Sequence, residues 1–243
     1  MRRREFLATA SATAALTLTT RNIAAAPTSF IAQVKRSEAN KLIPPDGPIV
    51  VAFPISRGAT MIDFAGPWEV FQDVMVADTK NEGGHRHPFR LYTVAETAKP
   101  VEASGGMKIV PDYTFENAPA PRLVVIPAQT GSPGLHAWLR KVVDSTDITM
   151  SVCTGAFQLG RAGLLAGKEA TTHHEFFDRF ANTFPDVKLK RGVRFVEGDK
   201  ISTAGGLTSG IDLALRVVER YFGRETAEQT AFYMEYQSKG WMI

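Results

Sequence analysis

Cysteine is almost missing from this sequence: Cys153 is the only one in 243 residues. A single thiol excludes an intrachain disulfide framework and leaves either pairing between chains or chemistry of its own. Long apolar runs are missing too. The stretch L-A-T-A-S-A-T-A-A-L-T-L near the start is too short and too rich in threonine to anchor in a bilayer. No G-x-x-x-x-G-K-[ST] occurs, and the glycine pairs beginning at 83, 105 and 205 read as turns rather than phosphate cradles. The histidine clusters His85-Arg86-His87 and His173-His174-Glu175 lack the H-E-x-x-H spacing that sets two imidazoles on one helix face, so no metal is expected. Internal repeats and low-complexity segments are absent as well.

An excess of one charge sign disappears once the start is set aside. Residues 1–26 combine adjacent arginines, Phe6-Leu7, a weakly apolar stretch and the small residues Ala24, Ala25 and Ala26, the pattern of a twin-arginine export signal. They hold Arg2, Arg3, Arg4 and Arg21 against Glu5, leaving 24 basic and 24 acidic residues. A chain so balanced has no basic footprint for nucleic acid. The expected partner is a small-molecule substrate, with a periplasmic location and no stable membrane insertion after signal removal. Residues 27–47, with A-P-T-S and L-I-P-P-D-G-P, read as a linker. Residues 48–243 then form one α/β domain; 44% hydrophobic and 22% charged residues suit a single sizeable core.

Within that domain, I-V-V-A-F-P and L-V-V-I-P have the continuous apolar character of buried parallel strands. After the first, Asp63 is expected in a loop, Pro67 at a first helical position and Glu69 in the first helical turn, with Phe64, Trp68, Phe71 and Met75 on one face. F-R-L-Y-T-V-A reads as a strand, and Ser104-Gly105-Gly106 turns a hairpin within Glu102 to Pro111. Leu135, Trp138, Leu139 and Val142 share a helical face. A helix is expected from near Thr172, a hairpin closed by Gly198-Asp199, and a long helix capped by Thr208 or Ser209 that carries Ile211, Leu215, Val218 and Phe222 to a stop at Gly223. A last helix runs from Arg224 to about Met234.

The chemistry gathers at D-I-T-M-S-V-C-T-G-A-F-Q-L-G-R-A-G-L-L, Asp147 to Leu165. Ile148 to Val152 reads as a short buried strand and the residues from Gly155 as a helix, with Cys153 at the junction. Such an elbow presents its residue at the carboxyl edge of the sheet, where helix N-terminal amides lower a thiol pKa. In an open α/β sheet ligands bind outside the carboxyl ends of the strands, so Asp63, Glu69 and Cys153 are expected to face one crevice. The amides of Ala128 or Gln129 and of Thr154 offer stabilisation of developing charge. His173 is a candidate substrate contact or helix cap.

With those segments assembled, the sequence resembles the ThiJ/PfpI superfamily, whose fold is shared with class I glutamine amidotransferase domains. The likeness rests on I-D-F-A-G-P-W-E-V-F, S-V-C-T-G-A-F-Q-L-G-R-A-G-L-L-A-G, A-T-T-H-H and T-A-G-G-L-T-S-G-I-D-L-A-L, in the expected order over residues 48–236. It implies a doubly wound, mostly parallel sheet in a flavodoxin-like three-layer sandwich. It further implies Cys153 as nucleophile, Asp63 as general acid/base and Thr154 as support for the thiolate, with no cofactor. The closest pattern is the isonitrile hydratase branch, which adds water to an isonitrile to give an N-substituted formamide. Alternatives are an exported small-molecule-binding or redox-sensing protein and a glyoxalase- or deglycase-like enzyme. The proteolytic branch has histidine directly after the cysteine, where this chain has Thr154. Two glycines usually follow the proline before the elbow; here Pro127 is followed by Ala128 and Gln129. Relatives commonly dimerise, which implies a homodimer.

Overall fold

Ile49–Pro54 forms β1, at the centre of a computed structural model that describes residues 41–78 and 83–242. The strand is apolar throughout because both of its faces are covered: Val51 and Phe53 fill one core, and Ala52 the other. Six further strands join it, β2 (Phe89–Ala95), β3 (Tyr113–Thr114), β4 (Leu123–Ile126), β5 (Ile148–Ser151), β6 (Phe195–Val196) and β7 (Ile201–Ala204). Their order is β6-β7-β5-β4-β1-β2-β3. All neighbours are parallel except β6 and β7, which form the expected hairpin.

The helices are α1 (Met61–Asp73), α2 (Pro133–Val142), α3 (Ala156–Arg161), α4 (Phe177–Thr183), α5 (Ser209–Phe222) and α6 (Arg224–Tyr233). Residues of α1, α5 and α6 pack into one core; residues of α2, α3 and α4 pack into the other. The protein is therefore a doubly wound α/β sandwich of three layers. Winding proceeds from β1 to β2 on one side and to β4 on the other, so the β1/β4 gap is the topological switch point.

Several local expectations are corrected by tertiary partners that a sequence pattern does not display. α1 begins at Met61, so Asp63 lies in its first turn and not in a loop, and Pro67 lies in its interior. The early start is supported from outside, because the Met61 N–H donates to Ser104 Oγ at 3.0 Å and the Thr60 N–H to the Ala128 carbonyl at 2.9 Å. Pro67 has no N–H to return to the Asp63 carbonyl. Glu69 is consequently far from the first turn, and Met75 lies past the helix end, 48% exposed.

Residues 171–173 are not helical: the Thr171 N–H is held by Thr203 Oγ1 at 2.8 Å, and a helical turn begins only at His174. Thr208 precedes α5 without a side-chain cap: its backbone is already helical, with φ −63° and ψ −15°, and its hydroxyl accepts from Arg194 at 3.3 Å. The hairpin across residues 101–109, the buried face of α2 and the stop at Gly223, with φ 88°, are as expected. Residues 1–26, read above as an export signal, and the expected linker as far as residue 40 lie outside the described residues; beyond them the Leu42 N–H donates to the Arg220 carbonyl at 2.9 Å.

Candidate active site

The carboxyl ends of β1, β4 and β5 meet at the switch point, and the elbow after β5 stands there. Cys153 to Gly155 make one 3-10 turn that leads into α3. Cys153 holds φ 58°, a left-handed conformation that a residue with a Cβ keeps only when its surroundings impose it. Here its N–H donates to the Gly205 carbonyl at 2.7 Å, and its own carbonyl accepts from Thr172 Oγ1 at 2.9 Å. Both ends of the residue are thus pinned by neighbouring loops.

Gly155 lets the turn close against β4. A Cβ at this position would stand 2.2 Å from the Ile126 carbonyl oxygen, which belongs to backbone and has little freedom to yield. Gly155→Ala is expected to destabilise the fold by about 2–3 kcal/mol through overpacking. For a domain of this size that is a fall in Tm of about 5–10 °C, readable by calorimetry.

Asp63 is fully buried opposite the elbow. One carboxyl oxygen, Oδ2, accepts the Ala128 N–H at 3.0 Å. The other, Oδ1, is buried without a hydrogen bond of ordinary geometry, although the Cys153 thiol and the Leu207 N–H also face the carboxyl. Burial raises the Asp63 pKa from 3.8 to about 6, against the lowering effect of Ala128, Cys153 and Leu207.

The thiol departs from the expected low pKa. Burial first, and then the negative charge of Asp63, push Cys153 up to about 11, with only partial relief from the amides of Thr154 and Leu207 and the Thr154 hydroxyl. The elbow amides are present, but the thiol of a residue that is only 8% exposed, beside a carboxylate, is dominated by desolvation. Near neutral pH the pair holds one proton, on sulfur.

The other predicted residues separate into those at the site and those away from it. Thr154 is at the elbow. Ala128 is buried beside it, but its amide is engaged with Asp63 and is not free for a substrate. Gln129 turns its carboxamide into the protein: Nε2 donates to the Pro54 carbonyl at 3.0 Å while Oε1 is buried without a partner. Glu69 is exposed on α1 and bonded to Gln72 at 2.8 Å. It stands six residues beyond Asp63, about 9 Å along the axis and on another face, so it does not share the crevice. His173 is half-buried; its Nδ1 accepts the Glu175 N–H at 3.3 Å, and its ring lies against Gly206, where a Cβ would be 2.4 Å from Cδ2.

Two contributors escape a reading by residue type. Leu207, with φ 53°, aims its N–H at both Asp63 and Cys153. Thr172 fixes the Cys153 carbonyl. The glycine turn before Leu207 is the only hint of the first, and nothing local announces the second.

Beside the elbow lies a cavity of about 210 Å³, walled by Gln129, Thr154, Phe157, Phe176, Arg161 and Arg179. Thr154, rather than Cys153, opens onto it. Among the described residues no cluster of three or more His, Cys, Asp or Glu side chains is placed to hold a metal.

Residues 50–220 match the DJ-1/PfpI family. Isonitrile hydratase of Pseudomonas putida is 29% identical over 192 residues, 76% of this chain and 78% of that protein. The HTH-type transcriptional regulator CdhR of Pseudomonas aeruginosa is 31% identical over 153 residues, but the chain spans only 45% of its length. The crystal structure of a THiJ/PfpI family protein from Pseudomonas syringae superposes with a TM-score of 0.66 at 27% identity, covering 79% of this chain and 77% of that one.

Proposed function

The chain belongs to the DJ-1/PfpI family, and from that premise we propose that it is a cofactor-independent cysteine enzyme of the isonitrile hydratase type. The observation that carries the reading is the buried Cys153 thiol facing a buried Asp63 carboxyl whose pKa is raised to about 6. One group that accepts and returns a proton near neutral pH is what the reaction requires.

Asp63 takes the thiol proton, and the sulfur attacks the terminal carbon of R–N≡C, which is electrophilic toward a soft thiolate. Asp63 then delivers that proton to the same carbon, giving the thioimidate R–N=CH–S. Water adds with its hydroxyl on carbon and its proton relayed through Asp63 to nitrogen. Collapse to R–NH–CHO breaks the C–S bond, and the hydroxyl proton returns through Asp63 to sulfur. The net change is R–NC plus water to the formamide. The amides of Leu207 and Thr154 steady the sulfur while it carries charge.

Asp63 must be ionised to accept a proton, so kcat/KM is expected to rise about tenfold per pH unit below pH 6 and to level off above it. The test is a pH profile of formamide release from an alkyl isonitrile between pH 4.5 and 9. A profile flat through pH 6 removes Asp63 as the proton carrier. Running methylglyoxal in parallel separates a carbonyl-directed activity from this one.

A second reading, a domain that binds a small molecule without turning it over, is favoured by the high thiol pKa and by the similarity to transcriptional regulators. It predicts ligand retention with no formamide released. Export to the periplasm and homodimer formation belong to the first reading. Export draws its support from Arg3-Arg4 and Phe6-Leu7; cell fractionation and light scattering test the two.

A further inference from the structure

The cavity beside the elbow carries two positive charges and no negative one: none of its lining side chains is acidic. Arg161, on α3, holds its guanidinium carbon 5.7 Å from the centre of the Phe157 ring, and Arg179, on α4, holds its own at 5.8 Å from the same ring. Among the described residues neither arginine forms an ion pair. Of the acids close to Arg179 in sequence, Asp178 pairs with Arg191 at 2.7 Å, and Glu175, four residues before Arg179, forms no ion pair with it. Gln158, which also lines the cavity, is satisfied within the protein, bonding His136 at 2.9 Å and the Gln129 carbonyl at 2.8 Å. Two like charges lining one cavity repel each other, and an anion bound in that cavity offsets the cost.

We infer that the molecule taken by this site carries a carboxylate, which Arg161 and Arg179 hold while the reactive end reaches past Thr154 to Cys153. Planar guanidinium forks match a carboxylate edge, and Phe157 and Phe176 supply apolar walls for the stem between the two ends. Arg161 follows Cys153 by eight residues but carries its guanidinium back toward the Phe157 ring, one turn from the elbow, so a stem of a few methylenes joins the carboxylate to the reacting carbon. The identity of the reactive end rests on the isonitrile reading above; the grip on the carboxylate does not.

The matched probes are 4-isocyanobutanoate and its methyl ester, with 4-formamidobutanoate as the product ligand. The wild-type protein is expected to prefer the acid over the ester by about a hundredfold in kcat/KM, mostly through KM, as two charge-assisted contacts imply. In Arg161→Met/Arg179→Met that preference should fall toward unity, and the paired lysine variants should recover part of it. Equal use of acid and ester by the wild type overturns the inference and leaves the hydratase reading standing. If neither is turned over but calorimetry finds 4-formamidobutanoate bound by the wild type and not by the methionine variant, the hydratase reading fails and the carboxylate site stands. Absence of both turnover and binding removes both.

Discussion

Replacing Cys153 by serine is expected to lower kcat/KM for an isonitrile by on the order of a thousandfold or more, because the covalent step loses its nucleophile. An alcohol beside the Asp63 carboxylate is a far weaker acid than the thiol already pushed up to about 11, and oxygen is a poor match for the soft terminal carbon. The fold should hardly notice. The elbow is fixed through the backbone of residue 153, by Gly205 and Thr172, and those bonds do not involve the side chain. Serine is smaller and nearly isosteric, so Tm should stay within about 3 °C of the wild type, roughly 1 kcal/mol for a domain of this size. Steady-state formamide release beside thermal unfolding checks both halves. Turnover within tenfold of the wild type removes Cys153 from the chemistry, whatever happens to stability.

What sequence could reveal here follows from which interactions are local. I-V-V-A-F-P, L-V-V-I-P and I-T-M-S-V announce buried strands by composition alone, and small residues after Cys153 announce a tight turn. The carboxyl edge of the sheet then becomes the place to look, which brings Asp63, Ala128 and Cys153 together correctly. The same reasoning brings in Glu69, which does not belong: with α1 beginning at Met61, Asp63 and Glu69 share one helix six residues apart and point from different faces. That start is set by Ser104 and Ala128, which no helical periodicity encodes. The same limit hid Leu207, whose role depends on its amide and a φ of 53°, not on its side chain. It also inverted the thiol pKa: the helix amides are sequence-local and favour the thiolate, whereas the burial and the Asp63 charge that outweigh them exist only in the folded protein.

Asp63→Asn separates the roles of the pair, and its effects should run in opposite directions. Without a proton carrier, turnover is expected to fall by about 10²–10⁴-fold, the usual span for a positioned acid/base. The thiol, relieved of the neighbouring negative charge, should titrate lower and react faster with iodoacetamide at pH 8 than in the wild type. Stability should rise as well. The Asp63 pKa is about 6 in the folded protein against an ordinary 3.8, so the native state binds the proton more tightly than the unfolded chain does. Its contribution to stability therefore declines as pH climbs from about 4 through 6 and stays lowered above that, by on the order of 3 kcal/mol. Asparagine carries no charge and escapes this loss, while its side-chain oxygen can still accept the Ala128 N–H. The Tm of the variant should exceed that of the wild type by several degrees at pH 8 and by much less at pH 4.5. An equal or lower Tm at pH 8 would mean that the carboxylate is stabilised where it lies, and a carboxylate at rest has no cause to pick up the proton of its neighbour. Activity and instability at this position thus have a single origin, an acid kept where ionisation is costly.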